Sequence, residues 1–230
     1  MIRINYVLNL SLISIMKITW YGHSLFQIIT TPRKNHQVKI VIDPFEKSIG
    51  LRVPKLEADI LLITHKHQGH NNIKAVAGNP FVIEDPGEYE VKEIMIQGIP
   101  SFHNASKEEV GNTIYIIESE NLKICHLGDF GQKELSEEQL EKIGDIDILM
   151  IPIGGGNTIS SKEAAKIMSQ LEPKITIPMH YALPKLKTKL DPLSKFLKSF
   201  GIKSLSPVKK LSIKKKDLPA DEAKIIVLEI

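Results

Sequence analysis

The apolar run at residues 59–63 (DILLI) ends in Thr64-His65-Lys66-His67-Gln68-Gly69-His70, and this junction constrains the fold more than any other stretch. A short apolar run without polar alternation reads as a strand buried on both faces, and such a strand needs a covering layer on each side of its sheet. Three histidines follow within six residues. Imidazole is the commonest protein metal ligand, and loops at strand ends are where converging ligands are carried. A layered α/β fold is therefore expected, with a metal site if other strand ends supply further ligands.

Upstream, residues 17–29 (KITWYGHSLFQII) are rich in β-branched and aromatic residues and break at Gly22-His23, which predicts two strands meeting at a tight turn. Residues 31–37 read as a polar turn, and residues 38–42 (VKIVI) as a buried strand ending at Asp43-Pro44. Connections this short leave no room for crossover helices and predict an antiparallel meander. Downstream, residues 71–76 read as a short helix stopped by Gly78 and Pro80. Residues 81–83, 90–91 and 94–99 read as strands, and 112–118 with 122–125 as a hairpin.

The second half adds helices. Ser136 with Gln139, and Ser160 with Glu163, are capping boxes opening helices that stop at Gly144 and Pro173. Ala164, Ile167, Met168 and Leu171 share one face of the second helix. Strands at 146–153 and 175–179 lead into Gly154-Gly155-Gly156 and His180. Asp191 as N-cap with Pro192 in the first turn opens a third helix, ended by Gly201, and residues 223–230 close the chain as a strand. With no low-complexity linker, one α/β domain is expected over residues 16–230.

Composition removes several classes. The single cysteine, Cys125, excludes an intrachain disulfide and fits a cytoplasmic protein. No run reaches the roughly 18–20 apolar residues of a membrane span. Residues 1–15 place an Arg ahead of a mildly apolar run, a weak signal-like pattern; Asn and Ser interrupt it and no small-residue cleavage site follows. Met16 is the more economical start, with residues 1–15 as an upstream extension. Lysines cluster between residues 185 and 216 at irregular spacing with few aromatics, so they read as a solvated face, and nucleic acid is not the expected partner.

Five histidines lie outside the cluster: His23, His36, His103, His126 and His180. His36 falls in the polar turn and reads as solvated. The other four sit beside strand ends or glycines, and Asp129 adds a carboxylate after Gly128. One such histidine alone is more often structural than functional. Their joint placement carries the argument, because a metal site draws ligands from several strand ends. Cys125 faces away from His126 if the segment is a strand, so it reads as a buried structural thiol. The Gly154–156 turn lacks the Lys-Ser/Thr of a phosphate-binding loop and reads as structural.

The ordered series His65-x-His67-x-x-His70, His103, Gly128-Asp129 and His180 resembles the metallo-β-lactamase fold superfamily. The strings Trp20-Tyr21-Gly22-His23-Ser24, His126-Leu127-Gly128-Asp129 and Ile177-Pro178-Met179-His180-Tyr181 resemble its UlaG-like branch of metal-dependent hydrolases, which includes ascorbate-6-phosphate lactonase. The resemblance spans most of residues 16–181. It implies a four-layer αββα sandwich with the site at one edge. It also implies His65, His67 and His103 on one metal, His70 and His180 on a second, and Asp129 bridging the two. Zn²⁺ is the implied ion, one or two per chain, with Mn²⁺ or Fe²⁺ in some members. Metal-bound hydroxide would attack an ester, lactone, amide or phosphoester of a small-molecule substrate.

Gly69 departs from that pattern. The best-known motif carries an aspartate there, which ligates the second metal and helps orient water. Its absence is expected to weaken the second site and to leave a base to be found elsewhere. His23 and His126 are placed for that, so Asp129, His126 and His23 form the expected catalytic set. The alternative is a non-catalytic, metal-poor binding or scaffold protein of the same fold. An RNA-associated nuclease ranks lower, because such relatives carry a large extra domain. A homo-oligomer is compatible with all three.

Overall fold

A computed structural model describes residues 15–33, 36–103 and 110–230, and fifteen strands and three short helices lie among the described residues. The expected extension at residues 1–15 lies outside the described residues except for Ile15. In chain order the strands are β1 (Met16–Trp20), β2 (Phe26–Arg33), β3 (His36–Ile42), β4 (Leu56–Glu57), β5 (Ile60–Leu62), β6 (Val76–Ala77) and β7 (Phe81–Ile83). Then follow β8 (Gly87–Val91), β9 (Ile94–His103), β10 (Val110–Ser119) and β11 (Leu122–His126). The last third alternates: α1 (Glu137–Ile143), β12 (Ile148–Pro152), α2 (Ser161–Leu171), β13 (Ile175–Met179), α3 (Leu193–Ser199), β14 (Leu211–Ile213) and β15 (Lys224–Ile225).

Two mixed sheets form a sandwich, ordered β14-β1-β2-β3-β5-β7 and β15-β13-β12-β11-β10-β9-β8. The α/β sandwich expected from the sequence is what the chain adopts. Period-two alternation explains which faces meet: β1 buries Met16, Ile18 and Trp20 while Lys17 and Thr19 stay partly exposed. The inner faces share one apolar core that runs from Met16 and Phe26 to Ile124, Ile148 and Ile177. β5 is buried on both sides, as its unbroken apolar run requires. Ile60 and Leu62 join the central core, whereas Leu61 packs with Val41, Phe45 and Leu56 in a second cluster. The layer over that outer cluster contains single 3-10 turns at Lys47–Ile49 and Ile73–Ala75 rather than α-helices. Helices α1 and α2 are the crossovers linking the parallel strands β11, β12 and β13, and both begin at the capping boxes read from sequence.

Four local expectations are corrected. Residues 71–76 form one 3-10 turn instead of a helix, because Asn72 is tied to the preceding loop: its backbone N–H donates to Pro44 O (2.8 Å) and its side chain to Phe45 O (2.9 Å). The polar turn at 31–37 is shorter than expected; β2 runs through Arg33, β3 starts at His36, and those two residues pair beyond a bulge. Pro192, not Asp191, occupies the N-cap of α3, and the Asp191 carboxylate takes Lys195 Nζ at 2.7 Å. The terminal strand shrinks to β15, followed by a single bridge between Val208 and Leu228. Among the described residues, no helix is long and apolar enough to cross a membrane.

Strand direction places the site. In the first sheet β1, β3 and β5 run the same way, and in the second β9, β11, β12 and β13 do. Their C-terminal ends carry His23, Asp43 and the histidine motif on one side, and His103, Asp129 and His180 on the other. The two edges are fastened together. The buried Tyr115 hydroxyl on β10 lies 3.0 Å from Ile63 O and 3.1 Å from Ile83 O, donating to one at a time. Beside it, Thr113 N–H donates to Thr64 O at 2.9 Å.

Candidate metal centre

Asp129 is the hub. It follows β11 after Gly128, whose φ of 59° and tight fit leave no room for a side chain: a Cβ there would lie 2.8 Å from Thr64 Cβ. Its backbone N–H donates to Asn112 Oδ1 (3.0 Å), and Asn112 Nδ2 in turn reaches Leu127 O and Ser101 Oγ. Thus anchored, the carboxylate presents its two oxygens to different neighbours. Oδ2 lies 3.1 Å from His103 Nε2, 3.1 Å from His70 Nε2 and 4.0 Å from His65 Nε2. Oδ1 lies 3.3 Å from His180 Nε2 and accepts from Ser24 Oγ at 3.3 Å.

Three overlapping groups have ligand atoms all within 4.8 Å of one another: His65, His67 and His70; His65, His103 and Asp129; and His23, His70, Asp129 and His180. Every histidine expected to bind metal is brought to this place. His67 is the exposed member, at the mouth of the cavity. The donor chemistry fits a borderline-soft divalent cation. The decisive observation is that His23 Nδ1, His65 Nε2, His70 Nε2 and His180 Nδ1 are buried without hydrogen-bond partners. Buried polar atoms are otherwise almost always satisfied, so unpaired imidazole nitrogens around a carboxylate are what a cation site leaves when read without its ion.

Electrostatics prepare the ligands. Burial, reinforced by the neighbouring His70, lowers His65 to about 3, and burial with His180 and His70 holds His23 well below the usual range. Both are thus neutral imidazoles, the ligating form. Burial would raise Asp129, but the facing His180 and His70 outweigh it and hold the carboxyl well below the ordinary range. His70 is the exception. Burial would lower it, yet Asp129 on one side and Asp43 on the other outweigh that and raise it to about 10. His70 would have to give up the Nε2 proton to hold a cation there, and Asp43 would keep its Nδ1 side fixed.

Asp43 is the functional residue that the histidine pattern does not reveal. Fully buried at the end of β3, with φ of 52°, it accepts from Thr64 N (2.8 Å), Thr64 Oγ1 (2.7 Å) and His70 Nδ1 (2.8 Å). It therefore fixes the ring of His70 and the first residue of the motif together. Its only sequence signal is an Asp closing the strand that turns out to pair in parallel with the one before the motif.

His126 is placed differently from its expected catalytic role. It is fully buried, its Nε2 donates to Ser24 O (3.1 Å) and its Nδ1 accepts from Gly128 N (3.1 Å). Both nitrogens are spent on backbone, so the ring braces the loops carrying Ser24 and Asp129 and leaves no nitrogen for chemistry. Cys125 is buried on the other face, and burial pushes its thiol up, which suits a structural role. In the glycine turn after β12, a Cβ on Gly154 would run into the His180 carbonyl, so that glycine serves the close approach of two strand ends.

Comparison with known proteins gives the family. A family model described as a β-lactamase superfamily domain matches residues 17–180. The chain belongs to the metallo-β-lactamase superfamily. Within the superfamily it is 34% identical to a UPF0173 metal-dependent hydrolase of Thermococcus onnurineus, over 72% of this chain and 84% of that protein. It is 31% identical to a UPF0173 protein of Pyrococcus furiosus, over 72% of this chain and 83% of that one. A crystal structure from Thermotoga maritima, described as a candidate Zn-dependent hydrolase of the metallo-β-lactamase superfamily, superposes with a TM-score of 0.74 at 37% identity, covering 93% of this chain and 98% of that one.

Proposed function

We propose that this chain is a metal-dependent hydrolase that cleaves an ester, lactone, amide or phosphoester in a small anionic substrate. The observation that carries the reading is the histidine cluster around Asp129, four members of which carry a buried ring nitrogen without a hydrogen-bond partner. His65, His67 and His103 would hold one cation, His70 and His180 a second, and Asp129 would bridge them. Bound divalent ions supply Lewis acidity and lower the pKa of water. The chain's own residues do the rest: Asp129 and the imidazoles fix where charge is stabilised, and the Asp43–His70 contact keeps one ligand from turning away.

Substrate class is argued from the cavity. A space of about 630 Å³ opens onto His65, His103, Asp129 and His180, and Lys66, Lys187 and Lys189 also line it. Two of these, Lys187 and Lys189, belong to the lysine-rich stretch expected to be a solvated face; both are exposed and also line the cavity. Three lysines among the residues lining a cavity of small-ligand size favour a substrate bearing phosphate or carboxylate.

The test uses chromogenic phosphoester and lactone substrates with chelated and Zn²⁺-reloaded protein. Turnover is expected only after reloading, and His65→Ala is expected to lose it. Lys187→Gln with Lys189→Gln should raise KM for an anionic substrate about tenfold while leaving a neutral analogue unchanged, as loss of a focusing charge predicts. Reloaded protein that turns over neither class of substrate would sink the reading.

A further inference from the structure

Gly69 is not a glycine because its backbone demands one: it is absent from the positive-φ glycines, so an L-residue would fit its conformation. What excludes a side chain is another side chain. A Cβ on Gly69 would lie 2.7 Å from His23 Nε2, closer than real Cβ atoms come, and a tight 3.2 Å from both His23 Cδ2 and His67 Nδ1. The ring of His23 fills the space beside the motif.

That ring is held there by several independent contacts. His23 sits at φ of 53°, an unusual conformation for a side-chain-bearing residue and one seen at sites where function imposes it. Its carbonyl accepts from both Trp20 Nε1 and His180 N–H, each at 3.0 Å. Only 4% of the residue is exposed, and its ring centroid is 4.2 Å from that of His180 and 4.8 Å from that of His70. Its Nδ1 is among the buried nitrogens with no partner, and it groups with His70, Asp129 and His180 as a set of converging ligand atoms.

We propose that His23 is a protein ligand of the second cation, completing a set with His70, His180 and Asp129, and that Gly69 is the clearance its ring requires. The proposal rests on the metallohydrolase reading above and deepens it. Three imidazoles and one carboxylate form a nitrogen-rich set, which favours Zn²⁺ over harder ions such as Mg²⁺ or Mn²⁺ at this position. The two residues are coupled: a carboxylate side chain at 69 and the ring at 23 compete for one volume.

The experiment titrates the chelator-stripped full chain with Zn²⁺ and reads equivalents bound by calorimetry and by elemental analysis after gel filtration. Wild type is expected to take two equivalents. His23→Ala and His23→Phe, the second keeping the ring's volume without its nitrogens, should keep the first and weaken the second more than about 100-fold, beyond the range seen for supporting residues. Gly69→Asp should also weaken the second, by crowding the ring, whereas His23→Ala combined with Gly69→Asp should recover it, a non-additive pair. In unmutated protein, nitrogen-15 spectra should show a His23 ring nitrogen moving to a metal-bound shift between the first and second equivalents, which needs no variant to fold. Unchanged second-equivalent affinity in both His23 variants, or a His23 ring silent through the titration, would overturn the proposal. Wild type that binds only one equivalent would overturn it too; wild type that binds none would overturn the metallohydrolase reading as well.

Discussion

Asp129→Ala is expected to abolish loading of both cations and to reduce hydrolysis by about 10³-fold or more, the scale on which preorganised electrostatic groups count. No other side chain faces so many ligands. One carboxylate oxygen looks toward His65, His70 and His103 and the other toward His180. Without it the imidazoles face one another with no carboxylate between them, and Asp43 behind His70 is, among the described residues, the one acidic group left beside the ligands. The anchoring of residue 129 through Asn112 uses its backbone N–H, so the loop should keep its course in the variant. Asp129→Asn keeps the shape and removes the charge, and should retain at most one weakly held ion. Circular dichroism establishes that the variants fold, and zinc content per chain gives the answer.

Asp43→Ala should produce the second-largest effect, and it should strike stability and metal affinity together. Three donors, two from Thr64 and one from His70, lose their acceptor inside the protein. Breaking a buried charged pair by removing one partner costs about 3–5 kcal/mol. Burial alone would raise the Asp43 carboxyl, but His70's charge and hydrogen bond more than offset that and hold it below the ordinary range. Losing a residue that orients a ligand also lowers metal affinity by about 10–100-fold. Urea denaturation of the metal-free variant and a zinc competition assay separate the two losses. Asp43→Asn, which can still accept from Thr64, should recover part of the stability but little of the affinity.

The ligand set could be seen in the sequence because metal chemistry leaves rare residues at strand ends, and strand ends can be located by hydrophobic runs. His65, His103, Asp129 and His180 each follow such a run, and the fold delivers all four to one edge. The capping boxes at Ser136 and Ser160 were equally plain, being local chemistry with fixed spacing. Asp43 was hidden because its role depends on β3 pairing in parallel with β5, a non-local fact. His23 and Gly69 are 46 positions apart, and only packing shows that one ring occupies the other's side-chain space. Lys187 and Lys189 are exposed charges, as the sequence suggests, and only the fold shows that they also line the cavity. His126 illustrates the reverse error: a histidine in the right string whose nitrogens are both committed to backbone.

The account stands on Asp129 lying between two cations. Diffraction from crystals soaked in Zn²⁺, recorded on either side of the zinc absorption edge, locates those ions without reference to activity. Two anomalous peaks are expected, each roughly 2.0–2.2 Å from an Asp129 oxygen, one among His65, His67 and His103 and the other among His70, His180 and His23. A map with no peak within bonding distance of Asp129, or with zinc bound only elsewhere on the surface, would contradict it.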